Sequence, residues 1–146
     1  MTASFRQLTN QVFAAPQIGL GEVAEAGRAG FGLIINNRPE GESDDQVPGE
    51  AIKAAAEAAG LAYVAIPVTH AGFSQPQITA MAQALGSTDK PVLAYCRSGT
   101  RSTLLWALAE ASRGTSPHSL AAAAAQAGYD LGPVRAMLDM LAARDR

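Results

Sequence analysis

The chain has 146 residues, 48% of them hydrophobic and 16% charged, which is enough apolar material for a sizeable core and excludes an intrinsically disordered chain. The formal net charge is -2, from 11 basic and 13 acidic residues, and no basic stripe interleaves with aromatics, which argues against nucleic acid as a partner. A single cysteine excludes an internal disulfide and any multi-cysteine metal site, so a reduced, cytoplasmic setting is the default expectation, with no metal and no cofactor.

Polar residues break up Met1–Asn10, which therefore lacks the apolar core of a signal peptide. No apolar run approaches the roughly 18 residues a membrane span needs, so no membrane association is expected. Phe5–Gln17, with Val12-Phe13, reads as an edge strand or hairpin. Glu22–Ala29 reads as a helix closed by Gly30, and Phe31–Ile35 as a short buried strand. Arg38–Gly49, rich in Pro, Gly, Asp and Glu, reads as a long surface loop. A helix over Glu50–Ala59 ends at Gly60, and a second buried strand spans Ala62–Val68. Ser74 with Gln77 three residues on is a capping-box pattern that opens a helix running to Leu85 and stopping at Gly86. Pro91–Tyr95 is the third apolar strand. The rest is helical: Ser102–Arg113, then a helix opened by Ser116-Pro117 and running to Gln126, then a last helix whose Val134, Met137, Leu138 and Leu141 share one face and read as core. There is no repeat and no dividing linker, so a single domain over residues 1–146 is expected. Strands alternating with helices predict an α/β fold with a mostly parallel sheet of about four or five strands flanked by helices.

The chemistry gathers at Cys96-Arg-Ser-Gly-Thr-Arg101-Ser102, where an apolar strand delivers a cysteine to its C-terminal end and a helix follows. Ligands in open α/β sheets bind at that edge. Loop amides and a helix N-terminus make an anion site there, drawing on Arg97, Ser98, Gly99 and Thr100. Gly99 lets the backbone curl, Arg101 offers a planar fork for an oxyanion, and Ser102 can cap the helix or donate to the sulfur. Such surroundings favour the nucleophilic thiolate. A lone cysteine ending a strand is often just a small buried hydrophobe. Here each neighbour has a task in one mechanism, which favours a reactive Cys96.

Four residues separate Cys96 from Arg101, and in this the loop resembles that of rhodanese-type sulfurtransferases. It is also similar to the loop of cysteine-dependent tyrosine and dual-specificity phosphatases, which is one residue longer. Over Phe5 to Asp130 the chain resembles the phosphatase-like domain of the beta-lactamase-hydrolase-like family. The matching pieces are Ala15-Pro-Gln-Ile18, Ile35-Asn-Asn-Arg-Pro-Glu-Gly-Glu42, Ile66-Pro-Val68, Cys96–Ser102 and Ala127-Gly-Tyr-Asp130. That resemblance implies a cysteine-phosphatase-like fold and a link to persulfide metabolism, with a persulfide dioxygenase as a possible partner.

Polar residues also follow the other strands. Arg38 is a candidate anion ligand, Asn36 and Asn37 suit loop fixing, and Thr69 and His70 lie where a phosphatase of this fold would carry its acidic aspartate. His70 could protonate a leaving group. Asp44 and Asp45 read as a solvated acidic face, and His118 as an exposed residue in a first helical turn. The short loop and the missing carboxylate favour sulfur over phosphorus. The expectation is therefore a sulfurtransferase carrying sulfane sulfur as a persulfide on Cys96, fed by a small sulfur anion or persulfide and emptied by an external thiol. The alternatives are a cysteine-dependent phosphatase acting on a phosphorylated substrate through a phosphocysteine, and a non-catalytic anion-binding module.

Overall fold

A computed structural model describes residues 5–144. The strands are β1 (Arg6–Gln7), β2 (Val12–Ala15), β3 (Leu33–Asn36), β4 (Ala62–Ala65) and β5 (Val92–Tyr95). The helices are α1 (Leu20–Arg28), α2 (Gly49–Ala58), α3 (Gln75–Leu85), α4 (Thr100–Ser112), α5 (Pro117–Gln126) and α6 (Arg135–Arg144), the last entered through a 3-10 turn at Gly132–Val134. The fold is α/β, a mostly parallel sheet flanked by helices.

The sheet order is β1-β2-β5-β3-β4. Strands β2, β5, β3 and β4 run parallel, and β1 folds back antiparallel on β2. Alternation along each strand divides two cores. Val12, Ala14, Leu33, Ile35, Val92 and Ala94 face one cluster, with Met81 of α3, Leu105 and Leu108 of α4, Leu120 of α5 and Leu138 of α6. Phe13, Ala15, Ile34, Leu93 and Tyr95 face the other, with Val23 of α1 and Ile52 of α2. Each Val, Leu, Ile, Phe or Met among them contributes about 1.5–3 kcal/mol when fully buried. Helix α4 is buried from Ser102 through Ala109, which fits its apolar composition all round.

Several expectations need adjusting. The N-terminal segment is the expected hairpin, but only β1 is at the edge; β2 is paired on both sides. Strand β4 is not covered on both faces: Ala62 and Ala65 are exposed, because it is the opposite edge. Helix α4 begins at Thr100 rather than Ser102, because Gly99, at φ 93°, turns the chain directly into it. The Arg38–Gly49 segment is the expected surface loop, with Glu40, Gly41, Asp44, Asp45 and Pro48 exposed, but its first residue is anchored: Arg38 is 4% exposed, and its guanidinium is held inside the fold. Ser74 does cap α3, its amide donating to Gln77 Oε1 at 2.8 Å.

The register aligns Ala15 and Asn36 with Tyr95, and Ala65 with Asn36. The four parallel strands therefore end level. The segments that follow them, carrying Gln17, Cys96, Arg38 to Glu42, and Val68, emerge on one edge of the sheet.

Candidate active site

Cys96 follows central strand β5 and is fully buried. Its amide donates to Ala15 O at 3.3 Å, which carries the sheet one residue beyond the strands. The Gly99 amide then donates to Cys96 Sγ at 3.1 Å. A Cβ on Gly99 would collide with Tyr129 Oη, so only glycine fits this turn. Among the described residues no cluster of three His, Cys, Asp or Glu side chains is placed to hold a metal ion.

Arg101, in the first turn of α4, donates from Nη1 to Val68 O at 2.7 Å. Its Nη1 and Nη2 also meet Glu42 Oε2 and Oε1 at 2.7 and 2.9 Å. This end-on pair occupies the tip of the guanidinium, and the Cys96 sulfur lies within reach of the same group. The hydrogen bond to Glu42 raises the Arg101 pKa above its ordinary value, and the nearby Cys96 sulfur adds to the effect. In turn the Arg101 bond, with help from Arg38, holds the Glu42 carboxyl down at about 2 against the opposing effect of burial. Glu42 is thus an anion at neutral pH, and it orients the arginine.

Arg38 does not fill the substrate role expected of it. Its Nε donates to Glu42 Oε1 at 2.9 Å, Nη1 to Gln17 Oε1 at 2.9 Å and Nη2 to Ser43 Oγ at 3.1 Å. All three guanidinium nitrogens serve the protein, so Arg38 positions Glu42. Ser102 neither caps the helix nor reaches the sulfur. It is buried, and its Oγ donates to Asn37 Oδ1 at 2.7 Å, while Asn37 Nδ2 donates to Ile66 O at 2.9 Å. Together they tie α4 to the ends of β3 and β4. Asn36 accepts the Arg38 amide at 2.9 Å and donates to Tyr63 Oη, fixing the start of the loop as its residue type suggested.

The remaining candidates lie at the rim. Arg97, Ser98 and Thr100 are exposed; the Arg97 carbonyl accepts from the Gln17 amide at 3.2 Å, and Ser98 Oγ bonds Thr100 Oγ1 at 3.0 Å. Thr69 and His70 are exposed on a turn just beyond Val68, the residue whose carbonyl holds Arg101, and Thr69 Oγ1 accepts the Ala71 amide. Asp45 accepts from Ser43 Oγ at 2.6 Å. That bond first, with Arg38 and Arg97 contributing charge, lowers its pKa. His118 is exposed on α5.

Glu42, Gln17 and Tyr129 were not singled out from sequence. Tyr129 Oη donates to Ser98 O at 3.1 Å. The only signal available was that all three lie in the segments that carry the family resemblance.

Residues 4–114 match the family model described as Beta-lactamase hydrolase-like protein, phosphatase-like domain. The chain belongs to this family. A Beta-lactamase hydrolase-like protein from Xylella fastidiosa is 41% identical over 106 residues, which is 72% of this chain and 25% of that protein. The chain therefore spans about a quarter of the length of that curated relative. A crystal structure of a candidate phosphatase from Neisseria meningitidis superposes with a TM-score of 0.83 at 30% identity, covering 96% of this chain and 99% of the other. PTPMT1, crystallised with PI(5)P, gives a TM-score of 0.73 at 12% identity over 98% and 99% of the two chains, a likeness of fold alone.

These matches overturn the sulfur-transfer expectation. The family model and the structural neighbours are phosphatase-like, and nothing among them points to a sulfurtransferase. The sulfur donor and the external thiol acceptor were tied to that chemistry and fall with it, whereas the persulfide dioxygenase was expected from the family resemblance. The residue count between Cys96 and Arg101 misled for a physical reason. With Gly99 left-handed and α4 starting at Thr100, the shorter loop still sets Arg101 beside the sulfur. No helix among the described residues is long and apolar enough to cross a membrane.

Proposed function

We propose that this chain is a cysteine-dependent phosphoric monoester hydrolase. The observation that carries the reading is the convergence on one buried sulfur of the Gly99 amide and an arginine whose tip is held by Glu42. A phosphate monoester dianion would lie with its oxygens on the loop amides and on the Arg101 guanidinium. The Cys96 thiolate attacks phosphorus, the bond from phosphorus to the leaving oxygen breaks, and that oxygen takes up a proton. Water then attacks the phosphocysteine, the P–S bond breaks, and inorganic phosphate leaves with the thiolate restored. Arg101 neutralises the equatorial oxygens in both steps, while Glu42 and Arg38 hold it in place.

The turn after β4 offers His70 and no carboxylate, so the reading favours substrates whose leaving oxygen departs with little help. The phosphorylated ligand of PTPMT1 supports a phosphorylated substrate as the class.

The test is hydrolysis of p-nitrophenyl phosphate with a rapid burst, and capture of a phosphate adduct on Cys96 by acid quench and mass spectrometry. Cys96→Ser should abolish turnover while still binding inorganic phosphate. Turnover that survives Cys96→Ser would remove the proposal.

A further inference from the structure

The Ser98–Gly99 peptide carries two contacts, one on each side. Its N–H donates to Cys96 Sγ at 3.1 Å, and its C=O accepts from Tyr129 Oη at 3.1 Å. In a trans peptide these groups point in opposite directions, so holding the oxygen aims the hydrogen. Rotating this unit would turn a carbonyl toward the sulfur and the anion site. Gly99, at φ 93°, has no side chain to resist that rotation. What opposes it is Tyr129, packed so closely that a Cβ on Gly99 would overlap its phenol.

Tyr129 is itself braced from behind. Arg6 on edge strand β1 lies over its ring, with Cζ 5.5 Å from the centroid, and Arg6 Nη1 donates to Ala127 O at 3.0 Å. The turn between them passes so close that a Cβ on Gly128 would sit 2.7 Å from Arg6 Nη1. A tyrosine hydroxyl is a donor at neutral pH, and burial raises the Tyr129 pKa further, with Arg6 opposing and Cys96 adding to the rise.

We infer that Tyr129 is a positioning residue for the anion site: its hydroxyl locks the Ser98–Gly99 peptide with the N–H facing Cys96, and Arg6 holds Tyr129 in register. The inference rests on the phosphatase reading for its turnover arm alone. Its binding arm concerns an oxyanion of any origin.

The experiment compares the wild type with Tyr129→Phe, which keeps the ring and removes the hydroxyl, and with Arg6→Met. Two quantities are read: kcat on p-nitrophenyl phosphate, and the dissociation constant of inorganic tungstate by calorimetry. Thermal midpoints are recorded beside them. Tyr129→Phe should weaken tungstate and lower kcat by about fivefold each, the factor one neutral hydrogen bond supports. Arg6→Met should move both in the same direction by less. Tyr129→Phe with tungstate affinity at the wild-type level overturns the inference, whatever its thermal midpoint, because a merely structural role would move the midpoint and not the affinity. If the wild type binds tungstate yet hydrolyses no phosphate ester, the phosphatase reading fails while the tungstate arm still decides the role of Tyr129. A wild type that binds no tungstate overturns the inference, and its turnover alone then decides the phosphatase reading.

Discussion

Glu42 meets Arg101 end-on, Oε2 at 2.7 Å from Nη1 and Oε1 at 2.9 Å from Nη2, and the same Oε1 receives Nε of Arg38 at 2.9 Å. Two guanidinium groups thus share one carboxylate, and the cluster keeps a net positive charge beside the sulfur. The carboxylate fixes the arginine's direction without cancelling the field an anionic substrate would meet.

Arg101→Lys should lower kcat/KM on p-nitrophenyl phosphate by about 10²–10³-fold, the usual loss for one transition-state donor. A lysine keeps the charge and loses the fork. Glu42→Gln should cost about tenfold, because the ion pair with Arg101 is lost and the amide keeps only one of the two acceptor oxygens. Steady-state kinetics on the folded variants decide both. Equal, small losses would mean that charge alone matters at this position.

The pH dependence of stability has a definite sign. The Glu42 carboxyl is held at about 2, below its ordinary 4.5, chiefly by the Arg101 hydrogen bond. A depressed folded pKa contributes stability that is complete above 4.5 and lost as pH falls from there through about 2. Urea midpoints of wild type and Glu42→Gln should therefore converge across that window on acidification. A gap that stays constant would show that the ion pair does not supply the difference.

Gly99→Ala should destabilise by at least about 1–2 kcal/mol, because alanine pays that much for left-handed backbone. The new Cβ also collides with the Tyr129 phenol, whose Cζ would lie 2.9 Å away. Relieving the collision moves the peptide that faces Cys96, so turnover should fall even where the variant is fully folded. Denaturant titration alongside kinetics separates the two effects.

Ser102→Ala removes the donor to Asn37 Oδ1 in a buried setting and should cost about 1–3 kcal/mol. A double-mutant cycle with Asn37→Ala should return a large coupling energy. Additive effects would mean that the two side chains act separately.

The alternation of strands and helices was legible because local signals agreed with the fold. Ser74 and Gln77 announced α3, and Gly30 and Gly60, at φ 91° and 84°, closed their helices as their positions suggested. Cys96 and Arg101 were legible as a pair because they lie five positions apart in one motif. Glu42 was not, because it sits in a loop with Glu40, Asp44 and Asp45. Only the level ends of β3 and β5 bring one of those acids to an arginine 59 positions away. The role of Arg38 was misread for a related reason: sequence places an arginine at a strand end but does not count the acceptors waiting there. Sulfur was preferred to phosphorus on a residue count and on the lack of a carboxylate after Ile66-Pro-Val68, and a count does not measure a loop whose glycine turns left-handed.

The segment from Arg38 to Gly49 has a thermodynamic consequence for whatever anion enters. Arg38 binds Glu42 and Ser43, Ser43 binds Asp45, and the Gln46 side chain binds both the Glu42 amide and Pro39 O. The strap is therefore folded before any ligand arrives, and its loss of freedom is charged to folding rather than to binding. Association with a small oxyanion should then proceed with little change in heat capacity and without a slow closing phase, as a plug entering a socket already wired.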